Sequence, residues 1–201
     1  MARKRMTADE RKQSIIDATI KVVSRLNYDR ATIALIAKEA GINEALIYNH
    51  FKSKQELQIA TLDYLVEYRL QLYRSHPVFQ DKNKNQSIIK AMGTQYLKSV
   101  ENPEVDMFAC ILKASFAIEK KIRAKAWECT KAFFDFNMEN LIEDRKRGFV
   151  DNNIDLNITA WEMLGTVTML SSLAVNEKLG EFGIESFKKS QKDFQDRILT
   201  N

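Results

Sequence analysis

Apolar residues recur at steps of three and four along nearly the whole chain, and no stretch alternates polar with apolar as a half-buried strand would. The first predicted helix is opened by Thr7-Ala-Asp-Glu10, a capping box in which hydroxyl and carboxylate each satisfy the other residue's amide. It runs to about Arg25 and turns Ile15, Ala18, Ile20, Val22, Val23 and Leu26 inward, after which Asn27, Tyr28 and Asp29 break it. Thr32 can cap a second helix with Ile33, Ile36, Ala37 and Ala40 on one face. Gly41 ends that helix, since without a Cβ it enters the left-handed region at no steric cost. Ile42 packs inward and Asn43 caps a short third helix, Glu44 to Phe51, that buries Ile47 and Phe51 at i, i+4. Glu44, Ala45, Leu46, Tyr48, Asn49 and His50 are left facing out. A second capping box, Ser53-Lys-Gln-Glu56, opens a long fourth helix to about Arg74, closed by His76, Pro77 and the polar loop FQDKNKNQ.

Everything beyond that loop also reads as helix. Ser87 to Val100 carries Ile88, Ile89, Met92, Tyr96, Leu97 and Val100; Asn102-Pro103-Glu104 starts the next helix, with proline where its missing N–H costs nothing. Met107, Phe108, Ile111, Leu112, Ala114, Phe116 and Ile118 follow. A helix from about Glu119 to Arg147 holds Trp127, Phe133, Phe134, Phe136, Met138 and Leu141, and ends in basic residues before Gly148. Asp155 can cap a helix to about Val175 that is apolar on nearly every face. The last helix, Ile184 to Leu199, follows Gly180 and Gly183. The chain is therefore predicted to be all-α, with about nine helices: a three-helix head over residues 1–52 and a helical body over 53–201.

The remaining features mostly exclude. An apolar fraction of 45% suffices for a sizeable core, yet no apolar run approaches the ~20 residues of a membrane span. The N-terminus MARKRMTADERK lacks the apolar core of a signal peptide, which points to a cytoplasmic protein. Cys110 and Cys129 read as free buried thiols, with a redox switch as the sharper alternative. His50 and His76 are the only histidines, and no GxSxG, P-loop, GxGxxG or HExxH occurs. No catalytic residue, metal site or cofactor is expected, and the chain does not read as an enzyme. Charge is more telling: residues 1–60 hold 11 Lys and Arg against 7 Asp and Glu, and the rest 20 against 20, so the whole net charge of +4 lies on the head. Neutralising phosphates with Lys and Arg supplies most non-specific affinity for DNA.

Helix, glycine turn and short helix with exposed amide, imidazole and phenol form a helix-turn-helix unit, whose second helix enters a DNA major groove. The stretch GINEALIYNHFKSKQEL resembles the recognition segment of the TetR family of bacterial transcriptional regulators, through Gly41, Ile42, Ile47, Tyr48, His50, Phe51, Ser53, Lys54, Glu56 and Leu57. Asn43 stands for the family's usual Ser and keeps the capping chemistry. Leu46 stands where Thr often offers a phosphate its hydroxyl, which puts that contact in doubt.

The residues and the resemblance together give the candidate sites. For DNA they are the basic arm Arg3, Lys4 and Arg5, with Thr32, Asn43, Glu44, Ala45, Tyr48, Asn49, His50 and Lys54. Lys54 opposes its own helix dipole, and a nearby phosphate would offset that. The resemblance implies a ligand-responsive repressor that binds a palindromic double-stranded operator as a homodimer, with an effector pocket among the middle helices. Tyr64, Tyr68, Met92, Tyr96, Phe108, Leu112, Phe116, Trp127, Phe134 and Met138 are the candidate lining; without clustered charges among them, the effector is expected to be apolar or weakly polar. The resemblance also implies a dimer through the last two long helices, where Ile184, Phe187, Gln191, Phe194 and Ile198 form a 3-4 seam and Trp161, Leu164, Gly165 and Thr168 face it. The alternative is a TetR-like helical interaction module or activator with weak or partner-dependent DNA binding.

Overall fold

A computed structural model describes residues 6–80, 85–101, 107–175, 181 and 184–200. Among them are nine α-helices: α1 Ala8–Arg25, α2 Ile33–Ala40, α3 Glu44–Tyr48, α4 Lys54–Arg74, α5 Ile88–Glu101, α6 Met107–Ser115, α7 Lys120–Lys146, α8 Leu156–Val175 and α9 Ile184–Ile198, with a 3-10 turn at Pro77–Phe79. There is no strand among the described residues, only an isolated backbone bridge between Val150 and Leu199. The all-α expectation holds. The start signal at Asn102-Pro103-Glu104, and Gly180 and Gly183, lie outside the described residues.

The boundaries follow local chemistry. Thr7 accepts the Glu10 amide at 3.2 Å and the Glu10 carboxylate accepts the Thr7 amide at 2.7 Å, the full capping box. Gly41 and Gly148 end their helices at φ 64° and 81°. Asp155 Oδ1 caps α8 through the amides of Asn157 and Ile158. Two expectations are corrected. At α4, Ser53 accepts the Glu56 amide at 3.1 Å, but Glu56 reaches the Lys52 amide instead of Ser53's, so only half a box forms. And α3 stops at Tyr48 rather than at Phe51. His50 donates to Ile47 O, a tightened last turn that drives Phe51 into the core at 1% exposure and aims the chain at α4.

The chain forms two compact units, residues 1–65 with 110–129, and 66–109 with 130–201; α4, α6 and α7 contribute to both. The first unit is built on Ile15, Val23, Tyr28, Ile36, Ile47, Phe51, Leu57 and Leu62, joined by Cys110, Ala114, Ile122 and Ala126. Neither cysteine is in a disulfide, and both are buried there. Burial pushes the Cys129 thiol up to about 12, and its Sγ lies 3.9 Å from Leu62 O.

The second unit centres on Tyr73, Ile89, Met92, Tyr96, Phe133, Phe136, Leu141, Leu164 and Leu170. Its least obvious tie is Asp144, fully buried on α7. The carboxylate accepts the Ser87 hydroxyl at 2.7 Å and the amides of Ile88 and Ile89 at 3.0 and 2.9 Å. Arg147 lies 3.4 Å from it, its side chain only 6% exposed. A carboxylate of one helix thus caps the N-terminus of another, where the orphan amides and the dipole both favour an anion.

Asp144→Ala is expected to destabilise the protein by about 3–5 kcal/mol, because it removes the acceptor of the Ser87 hydroxyl and of two buried α5 amides together with the counter-charge of Arg147, which keeps the Gln86 carbonyl. Urea unfolding measures this, and a loss under ~1 kcal/mol would mean that water replaces the carboxylate. In the native protein at neutral pH, Cys129 should react with iodoacetamide roughly a thousandfold more slowly than a free thiol, which mass spectrometry of the labelled chain follows; rapid native labelling would restore the redox reading.

Candidate nucleic-acid interface

The α2–α3 unit is set by backbone chemistry before any partner is considered. Thr32 caps α2 by accepting the Leu35 amide at 3.2 Å, and Asn43 caps α3 by accepting the Leu46 amide at 2.9 Å. Each cap uses an oxygen and leaves a donor over: the Thr32 hydroxyl hydrogen and the Asn43 amide group. Between them Gly41 and Ile42 return their amides to Lys38, Ala37 and the end of α2. Ile36 and Ile47, both 0% exposed, lock the two helices together.

What remains outside is a short polar face. Glu44, Ala45, Tyr48 and Asn49 are exposed and His50 half-buried. Leu46 is half-buried and lines a recess with Met6, Thr7, Ala8, Arg11 and His50, so the start of α1 stands beside α3. Arg3, Lys4 and Arg5 lie outside the described residues. Arg11 is a basic neighbour of this face that the motif reading passed over; its signal was the position just after the capping box. Lys54 is held differently from expectation. Its ammonium donates to Asp29 O at 3.0 Å and is partly buried, so within the chain it braces the α1–α2 loop.

The second unit holds an inner cavity of about 50 Å³ between α4, α5, α6, α7, α8 and α9. Tyr73, Ile89, Met92, Gly93, Tyr96, Phe108, Phe133, Asn137, Met163, Leu164, Thr166, Val167, Gln191, Phe194 and Gln195 line it. Of the ten residues proposed for a pocket, Met92, Tyr96 and Phe108 are here. Tyr64, Leu112, Phe116 and Trp127 belong to the first unit, Phe116 and Trp127 being 78% and 58% exposed. Tyr68 is exposed, Met138 is half-buried off the lining, and Phe134 packs on Trp161 with centroids 4.7 Å apart. Sequence reasoning missed Asn137 and Gln195, whose polarity hid them among surface positions, and gave Gln191 to the dimer seam only.

On the other side of α8 and α9 lies an open groove lined by Glu162, Gly165, Thr166, Met169, Phe187, Ser190, Gln191, Asp193, Phe194 and Arg197. Ile158, Trp161 and Met169 stand out from α8 at 58%, 45% and 61% exposure, and Thr168 is exposed beside them. Gly165 is exposed, and a Cβ built there would meet nothing within 4 Å. Leu164 and Ile198 point the other way, buried within the chain at 8% and 1%. The side chain of Ile184 lies outside the described residues. No described helix is long and apolar enough to cross a membrane.

Residues 15–61, the segment from α1 to the first turns of α4, match the family model described as bacterial regulatory proteins, tetR family. The chain is 30% identical over 114 residues to the HTH-type transcriptional regulator BetI of Serratia proteamaculans (strain 568), covering 48% of this chain and 58% of that one. It thus spans little more than half of that relative. Solved structures share the fold. A transcriptional regulator from Saccharomonospora viridis in complex with choline superposes at TM-score 0.74, with 16% identity and coverage of 96% and 100%. FadR from Bacillus subtilis in complex with stearoyl-CoA superposes at 0.64, with 20% identity and coverage of 87% and 96%.

Proposed function

We propose that this chain, whose residues 15–61 match the tetR family model, is a TetR-like, cytoplasmic, ligand-responsive repressor that binds a palindromic operator as a homodimer. The observation that carries this reading is the exposed polar face of α3, fixed by two capped helix starts and a glycine turn on the basic part of the chain. Asn49 supports base reading, because an amide can bond adenine bidentately, a contact worth ~1–3 kcal/mol of discrimination. Thr32, Asn43, Tyr48 and His50 keep donors for phosphates, with Arg3, Lys4 and Arg5 reaching from the arm and Glu44 and Ala45 flanking the base edges.

The α8–α9 groove supports a two-fold partner. Exposed Ile158, Trp161 and Met169 form a large apolar stripe, and a second copy of the same face would cover it. Ligand control then rests on the inner cavity, and α4 is the connecting element: Tyr73 lines the cavity, while Lys54 and Gln58 hold the loop before α2. A ligand that favours the DNA-incompetent arrangement releases the operator; one that binds both arrangements equally does nothing. The choline and stearoyl-CoA held by two structural neighbours support a small-molecule effector here as well, of a class those complexes do not assign. The second reading, an interaction module or activator with weak DNA binding, draws on Leu46, which brings no hydroxyl to α3.

A gel shift of the full chain on its own upstream intergenic DNA separates the two readings, a saturable nanomolar shift supporting the repressor and none supporting the module. Lys54→Ala should weaken all sequences alike and flatten the salt dependence by about one charge if Lys54 turns to phosphate; if it only braces Asp29 O, stability falls and the salt slope stays. Asn49→Ala should relax preference at one base pair per half-site, read from a randomised operator library. Gly165→Leu should leave the monomer as stable or more so, as no atom of its own chain is near, but overpack the two-fold contact by typically ~1–3 kcal/mol. Light scattering of a Gly165→Leu protein that stays dimeric and binds DNA normally would remove this face from the interface.

A further inference from the structure

The inner cavity, read as the effector site of this proposed regulator, is selective in its chemistry. We propose that it recognises an uncharged molecule with a ring-sized apolar body and a carboxamide-like end that both donates and accepts hydrogen bonds, and that it rejects organic cations.

Asn137 is the central observation. It sits on α7 at 8% exposure, lines the cavity, and its side chain makes no hydrogen bond among the described residues. Its amide atoms are not among the fully enclosed unpaired ones, so they open onto the cavity, within reach of whatever fills that space. Gln191 and Gln195 on α9 line the same cavity, also with no side-chain hydrogen bond among the described residues. A Cβ on Gly93 would lie 2.8 Å from Gln195 Nε2, so α5 carries a glycine, an unfavourable helix-interior residue, where that amide rests. Three carboxamides offer donors and acceptors together, the pattern that a neutral amide returns in full.

Charge narrows the class further. No Asp, Glu, Lys, Arg or His lines the cavity. Its aromatic wall would ordinarily suit a quaternary ammonium. Yet the guanidinium of Arg69, itself 6% exposed, lies 5.5, 5.8 and 5.2 Å from the ring centroids of Tyr73, Tyr96 and Phe108. Those rings already face one cation, and a second would enter with no carboxylate to meet it. Size sets the body. A cavity of about 50 Å³ has room for one or two waters at ~30 Å³ each, so a single ring enters as Met92 and Met163, unbranched and adaptable, repack around it.

Benzamide, benzoate and benzyltrimethylammonium share a phenyl body and differ only in the head group, which makes them the probes. Isothermal titration at millimolar concentration, with the full chain, should show benzamide bound and the cation not. Asn137→Leu should weaken benzamide about tenfold, the loss of one or two hydrogen bonds, while raising the melting temperature of the unliganded protein. Gln195→Leu is the second variant, expected to weaken benzamide with Asn137 intact. Binding of benzyltrimethylammonium in competition with benzamide, no benzamide binding, benzamide affinity unchanged in both variants, or a lower melting temperature for Asn137→Leu would each overturn the proposal. A gel shift on the operator is run in parallel. Operator binding without benzamide binding rejects this site alone, whereas benzamide binding to a chain that never binds its upstream DNA rejects the regulator reading and leaves the site standing.

Discussion

The head depends on how one short loop is held. Residues 27–31 connect α1 to α2, with Tyr28 at 1% and Ala31 at 0% exposure, Asn27 and Asp29 half-buried and Arg30 exposed, so the carbonyls on the buried side need partners from the protein. Side chains meet them. Gln58 donates to Tyr28 O at 2.6 Å and Lys54 to Asp29 O at 3.0 Å, both from α4, while Asp29 Oδ1 accepts the Ile118 amide at 3.0 Å from the turn between α6 and α7. Lys113 of α6 adds its ammonium to Val23 O and Ser24 O at the end of α1, where the helix dipole favours a cation. The orientation of α2, and of α3 locked to it by Ile36 and Ile47, is therefore not a property of the helix-turn-helix alone. It is imposed by α4 and α6, which lie outside the motif. A shift of either must be matched by a shift of the loop or by the loss of buried hydrogen bonds, and the first is cheaper.

This constraint also shows where sequence reading stops. Caps and turns were legible because their chemistry is local: Thr7, Thr32, Asn43, Asp155, Gly41 and Gly148 act on residues no more than a few positions away. Periodicity likewise found the buried face of α1 and α2, except that Leu26, expected to turn inward, is 39% exposed because it lies just past the end of α1. It could not say which neighbour that face meets. Trp127 and Phe116 sit at helical spacing with true core residues, yet they are exposed, because a period identifies a stripe and not its partner. Asp144 stands in the run EDRKR, which reads as solvated surface; only the fold brings Ser87 and the first amides of α5 onto it. Lys54 was legible as a cation out of place on its helix, and the structure supplies an oxygen for it within the chain.

The cavity and the outer groove share a wall. Thr166, Gln191 and Phe194 line both, so between the inner space and the face offered to a second copy there is one layer of side chains. A ligand larger than the present cavity must displace that layer or Met92 and Met163, which also line the cavity. Cores are close-packed and resist continuous deformation, so displacement at Gln191 and Phe194 reappears on the groove side as a changed surface. In the proposed regulator, effector binding and subunit contact would then draw on the same residues, and by linkage each would alter the free energy of the other. In that proposal the ligand need not push the DNA-reading heads directly, provided that it changes how two copies meet.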